Sequence, residues 1–153
     1  MKDKYRSLLN KYEINTPLRI AHFMAQTHHE SGGFKYAKEI GNDAYFKKYE
    51  GRKDLGNINE GDGLRFKGRG YIQVTGRANY AALSKDTKID FLNNPELLEQ
   101  EANAMISAVW FWNKKKLNIL ADKDDCKAIT KRINGGYNGL ADRERLLIKY
   151  KAQ

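Results

Sequence analysis

The chain has 153 residues, one cysteine (Cys126), and 28 Lys and Arg against 19 Asp and Glu, for a formal net charge of +9. That length suits one domain able to bury its apolar surface without disulfides or metals, and a lone cysteine excludes an internal bridge. The charge favours a polyanionic partner, whether nucleic acid, a membrane face or an anionic cell wall. The N-terminus is charged from Met1-Lys2-Asp3-Lys4 onward, and no apolar run approaches a signal core or a membrane span. Synthesis in a cytosol without a signal peptide, and no stable membrane insertion, are expected.

In chain order, Thr16-Pro17 puts an N-cap before a first-turn proline. Leu18, Ala21, Ala25 and His28 then recur at three- and four-residue steps until Gly32-Gly33. This predicts a helix from residue 17 with Glu30 in its last turn. From Gly41 to Gly70 there are seven glycines and almost no period, and a connection that long inside a compact domain is usually functional. Tyr71 to Val74 fits one short strand, with Thr75 as candidate cap of a helix over 76–84. Asn94-Pro95 repeats the start signal, and Leu98, Ala102, Met105, Ile106, Val109 and Trp112 form the stripe of a central helix. Trp110 and Trp112 then read as packing residues. Two further helices are predicted, from Asp122 or Asp124 to Ile133, closed by Asn134-Gly135-Gly136, and from Leu140 to Lys151 with a basic outer face. With no repeat or linker, residues 1–153 read as a single domain of mainly α class with a small β element.

Cleavage of a glycosidic bond needs a protonated carboxylic acid for the leaving oxygen and a second group that activates water or attacks directly. Glu30 suits the first role, because the negative end of a helix dipole disfavours a charged carboxylate. Spacing alone leaves an ordinary exposed helix-end glutamate as the alternative. Gly68 and Gly70 allow close approach of backbone to a saccharide, and Arg69 can pair with a carboxylate near such a cleft. Tyr36, Tyr45, Tyr49, Tyr71 and Tyr137 surround these motifs, and tyrosine combines apolar area with a hydroxyl. His28 and His29 lack an HExxH pair or cysteine cluster, so no metal and no cofactor is assigned. Lys67 to Val74 partly imitates an RNA-recognition consensus, but Arg69 stands where an aromatic should stack, which argues against nucleic acid.

Thr27-His28-His29-Glu30-Ser31-Gly32-Gly33, Gly68-Arg69-Gly70-Tyr71-Ile72-Gln73-Val74-Thr75, Asn79-Tyr80, Asn134-Gly135-Gly136 and Asp142-Arg143 together resemble the ordered motifs of glycoside hydrolase family 19. That family contains plant and bacterial chitinases and many phage endolysins. The resemblance runs from about residue 17 to the C-terminus. It implies a lysozyme-like α+β fold with a long glycine-rich active-site loop and an inverting mechanism. Glu30 falls on the general acid, and Tyr49-Glu50-Gly51-Arg52 places the general base on Glu50, with Glu60 as the alternative. Thr75 falls on the water-positioning hydroxyl. Gln73, Asn79 and Asn134, together with His29 and Tyr71, fall among substrate-binding groups, and Arg143 on a structural or electrostatic arginine.

The same resemblance implies an endolysin cutting β-1,4 bonds of the peptidoglycan glycan strand, with chitin as the alternative substrate. A minimal domain, the absent secretion signal and the basic surface favour peptidoglycan. The expected protein is a monomer, made in a host cytoplasm and acting on the wall after release. A wall-binding module without catalysis and an RNA-binding module are the lesser alternatives.

Overall fold

The computed structural model describes residues 1–153. Its helices are α1 Arg6–Lys11, α2 Pro17–Glu30, α3 Asp43–Phe46, α4 Asp62–Arg65, α5 Arg77–Thr87, α6 Glu101–Lys114, α7 Leu117–Asp122, α8 Cys126–Asn134 and α9 Leu140–Lys151. Short 3-10 turns cover Lys47–Tyr49, Lys53–Leu55 and Pro95–Glu99. The only β pairing is two isolated antiparallel bridges, Lys38 with Arg69 and Arg69 with Val74. The class is mainly α, as expected. No helix is long and apolar enough to cross a membrane.

The chain forms two compact units, one of residues 1–34 with 109–153 and one of residues 35–108. In the first, Thr16 caps α2 by accepting from Arg19 N at 3.1 Å. Beyond Glu30, buried Ser31 donates to Thr27 O at 2.7 Å and accepts from Phe34 N at 2.8 Å, which closes the helix. Ala21 and Ala25 of α2 pack on Cys126 of α8 and on Leu146 and Leu147 of α9. Phe23 meets Trp112 edge-on, with centroids 5.4 Å apart, a pairing worth ~0.5–1.5 kcal/mol beyond its burial. Trp112 also donates its indole N–H to Asn118 Oδ1 at 2.9 Å, so it is a packing residue.

In the second unit Phe46, Phe66, Tyr80, Leu83, Phe91 and Leu98 are fully buried. The glycine-rich connection is no open loop. Asn57 donates to Tyr49 O at 2.9 Å and accepts from Arg77 N at 2.8 Å. Buried Asp62 takes both arms of Arg77, at 2.8 and 2.9 Å. These bonds fasten the connection to the start of α5.

Three expectations need correction. Tyr71 to Val74 is a turn that returns Val74 to Arg69, not a strand. Thr75 does not cap α5; Gly76, at φ +93°, occupies the cap position, where no side chain could bond. The predicted central helix breaks at Gln100, whose extended ψ of 141° separates the 3-10 turn from α6. Helices α1 and α7 were not expected.

Candidate active site

The first unit presents Glu30 at the end of α2. Arg143 Nη2 of α9 lies 2.7 Å from Glu30 Oε1, with the arginine side chain 2% and the glutamate 25% exposed. The contact is an ion pair, and Oε1 is buried without a hydrogen-bond partner. Arg143 is itself held by Gln26 Oε1 at 2.7 Å and Asn138 O at 3.1 Å. Gln26 in turn donates to Thr130 of α8 at 3.2 Å. A buried relay of Thr130, Gln26 and Arg143 therefore aims a fixed positive charge at Glu30. His29 Nδ1 pairs with Asp142 Oδ2 at 2.8 Å, and Arg145 shares that carboxylate. Asn134 ends α8, and Gly135 at φ +85° closes it.

The other two polar atoms buried without partners also lie on α2. They are Thr27 Oγ1 and His22 Nδ1. His22 Nε2 bonds Asp124 Oδ1 at 2.7 Å, yet burial pushes its pKa below the usual value, against the pull of that carboxylate.

The second unit holds the other carboxylates. Glu50 lies exposed, with Oε2 accepting from Gly61 N and Oε1 from Gly63 N, each at 2.9 Å. The Gly63 and Gly61 amides, in that order, hold its pKa below the usual carboxylate range. Gly63 is glycine because a Cβ there would meet Glu50 N at 2.7 Å. Glu60 is exposed and makes no hydrogen bond or ion pair.

Sequence reasoning passed over Glu39. Its side chain is 14% exposed and faces Lys48 at 3.9 Å. Oε2 accepts from Tyr49 OH at 2.8 Å and Tyr45 OH at 3.2 Å, and Oε1 accepts from Gly68 N at 3.2 Å. Burial first, and then the bond to Glu39, raises the Tyr49 pKa, which keeps its hydroxyl a donor. A Cβ on Gly68 would lie 2.6 Å from Gln73 Oε1 and 3.0 Å from Glu39 Oε1. Glycine here lets Glu39 and Gln73 share one small space. The signal for Glu39 was a carboxylate between Tyr36 and the Tyr45/Tyr49 pair.

Of the other candidates, Asn79 donates to Thr75 O at 2.8 Å, which joins those two at the start of α5. Tyr71 is 3% exposed, and its backbone N–H donates to Ala104 O at 3.3 Å. Arg69 pairs with Glu99 at 2.9 Å and with Tyr80 OH at 3.0 Å. No group of three or more His, Cys, Asp or Glu side chains converges anywhere in the chain.

The fold and these side chains define a mainly helical, lysozyme-like protein whose carboxylates are oriented by arginine, tyrosine and backbone donors. The family follows from comparison with known proteins. A family model described as chitinase class I, glycoside hydrolase family 19, matches residues 12–132. A Haemophilus influenzae protein named for a glycosyl hydrolase family 19 domain is 36% identical over 155 residues, spanning 82% of this chain and 75% of that protein. An Arabidopsis thaliana endochitinase is 35% identical over 118 residues, spanning 76% of this chain and 39% of the plant protein. The chain thus covers about two fifths of the plant relative. The chain belongs to glycoside hydrolase family 19. Chitinase C from Streptomyces griseus shares the fold with a TM-score of 0.75 at 24% identity, over 89% of this chain and 71% of that one. The class IV chitinase from Zea mays does so with a TM-score of 0.67, over 90% of this chain and 66% of that one.

Proposed function

We propose that this protein is a glycoside hydrolase that cuts the β-1,4 bonds of the peptidoglycan glycan strand with inversion. The observation that carries the reading is Glu30, partly open to solvent, at the negative end of a helix and against the fixed charge of Arg143. In this proposal Glu30 donates a proton to the leaving oxygen. Arg143 stabilises the carboxylate left after the proton has gone.

The second carboxylate in this proposal is Glu39 rather than Glu50 or Glu60. Both oxygens of Glu50 are committed to backbone amides that weaken it as a proton acceptor. Glu60 has nothing to orient it. Glu39 has two tyrosine donors on one oxygen and a single long amide contact on the other, which leaves a lone pair beside Gln73 to receive a proton from water. Thr75 positions that water, and Gln73, Asn79, Asn134, His29 and Tyr71 serve the glycan, as the family resemblance implies.

Peptidoglycan is favoured by charge. Residues 1–34 and 109–153 contain 16 Lys and Arg against 8 Asp and Glu, whereas residues 35–108 contain 12 against 11. A surface that basic suits a wall bearing peptide carboxylates. In this proposal the enzyme is a phage or prophage lysin, monomeric, made in a host cytoplasm and acting after release. Chitin is the second reading, favoured by the plant relatives' names as endochitinases.

Purified peptidoglycan and chitin oligomers are digested with wild type, Glu30→Gln, Glu39→Gln and Glu50→Gln, and the new reducing ends are read by mass spectrometry. Loss of turnover by about 10²-fold or more is expected in the first two variants, the scale of general acid and base contributions. Digestion of chitin alone would defeat the peptidoglycan reading. Full activity of Glu39→Gln would return the base to Glu50 or Glu60. Wild type as inert as Glu30→Gln would leave a wall-binding module.

A further inference from the structure

Beside Glu39 the backbone pairs Lys38 with Arg69 in an antiparallel bridge, fixed by Gly70 N donating to Ala37 O and by Glu39 N donating to Gly68 O, each at 2.8 Å. Glu39 turns to Tyr45 and Tyr49, and Lys38 turns to Glu99, with its ammonium 3.8 Å from Oε1. On the Lys38 face a cavity of about 370 Å³ is lined by Lys35, Tyr36, Ala37, Lys38, Ile40 and Glu99. That volume lies within the range of small-ligand sites. Its rim leaves two large apolar side chains in solvent, Tyr36 at 43% and Ile40 at 71% exposed.

The charge of this cavity is positive. Glu99, its one carboxylate, takes the Nε of nearly buried Arg69 at 2.9 Å, so its charge is already matched. Lys35 has no carboxylate partner, and its ammonium stands 5.3 Å from the Tyr36 ring centroid. Two ammonium groups around exposed apolar faces fit an anion with a small apolar body. A neutral polymer of N-acetylated sugars offers no such group. Peptidoglycan does, in short peptides rich in methyl side chains and ending in carboxylates. We infer that this cavity is a subsite for the carboxylate-bearing stem peptide, and so a determinant of peptidoglycan over chitin. The inference rests on the peptidoglycan reading and on Glu39 lying beside the glycan, one residue from Lys38.

Three substrates test it: intact peptidoglycan, the same strands stripped of stems by an amidase, and chitin oligomers. Wild type should show a higher kcat/KM on stemmed than on stripped strands, expressed in KM. Added salt should narrow that preference, because the contacts are exposed. A Lys35→Gln/Lys38→Gln variant should lose the preference by about tenfold, the sum of two surface ion pairs, while Lys35→Arg/Lys38→Arg retains it. Thermal melts of both variants verify folding. Equal wild-type activity on stemmed and stripped strands would overturn the subsite and leave the peptidoglycan reading standing. So would a wild-type KM in the glutamine variant. Cleavage of chitin with none of peptidoglycan would overturn both.

Discussion

Replacing Arg143 by methionine keeps an unbranched apolar stem but removes the charge that faces Glu30. Glu30 Oε1 then loses its ion-pair partner at 2.7 Å, and two oxygens lose a donor, Gln26 Oε1 at 2.7 Å and Asn138 O at 3.1 Å. Breaking a buried pair from one side typically costs ~3–5 kcal/mol. Glu30 is one quarter exposed and can recover water, so the lower end, about 3 kcal/mol, is expected. For a chain of this size that lowers Tm by about 6–12 °C. Urea unfolding at neutral pH measures the cost directly. The decisive form is a double-mutant cycle with Glu30→Gln, in which the cost of Arg143→Met should shrink by about 1.5–3 kcal/mol. A cost equal in both backgrounds, to within about 0.5 kcal/mol, would refute the claim that Arg143 holds the Glu30 carboxylate.

Gly70→Ala should lose about 2–3 kcal/mol, because φ is +94° and a Cβ would overlap Ser107 Oγ, itself bonded to Ala104 O. A urea midpoint within error of wild type would contradict this. His22 is buried and its pKa is depressed, so the unfolded chain takes up its proton first as pH falls below about 6.5. Stability should therefore decline as pH falls from that value toward the depressed folded one, and His22→Gln should flatten the decline; a flat wild-type profile over that window would count against it. The Asp62 pKa is held low, chiefly by Arg77. Its stabilisation is present above the ordinary 3.8 and lost as pH falls through the lowered folded value. Asp62→Asn should cost about 2–3 kcal/mol near neutrality, with the gap to wild type closing in acid. A gap unchanged by acid would place the cost elsewhere.

Where the signals were local, the sequence carried them. Thr16 as cap, Pro17 in the first turn and Gly32-Gly33 beyond the end bracket α2 within one residue, and Leu140 to Lys151 is α9 as expected. Elements stabilised from a distance were less legible. Helix α1 has a single buried residue, Leu9, and α7 has two, so neither shows a full apolar stripe. The connection over 41–70 lacks a period because bonds from Asn57, Asp62 and Glu50 hold it, and side chain-to-backbone pins follow no repeat. Tyr71 to Val74 carries strand-favouring side chains, yet Tyr71, Ile72 and Val74 are all buried, which a two-sided turn inside a core allows and a half-exposed strand does not.

The carboxylates show the same division most sharply. The place of Glu30 as the last residue of α2 was legible because a helix end is a local event. The reading of Glu50 came from distance along the chain, and distance along the chain does not report which donors a carboxylate meets. Glu39 meets Tyr45, Tyr49 and Gly68, which stand 6, 10 and 29 residues away. Only the turn at Gly68 to Val74, folding Arg69 back beside Lys38, brings the last of these within reach. How readily a carboxylate takes a proton depends on which donors the fold brings to each oxygen, and that property belongs to the assembled contacts rather than to any spacing of residues.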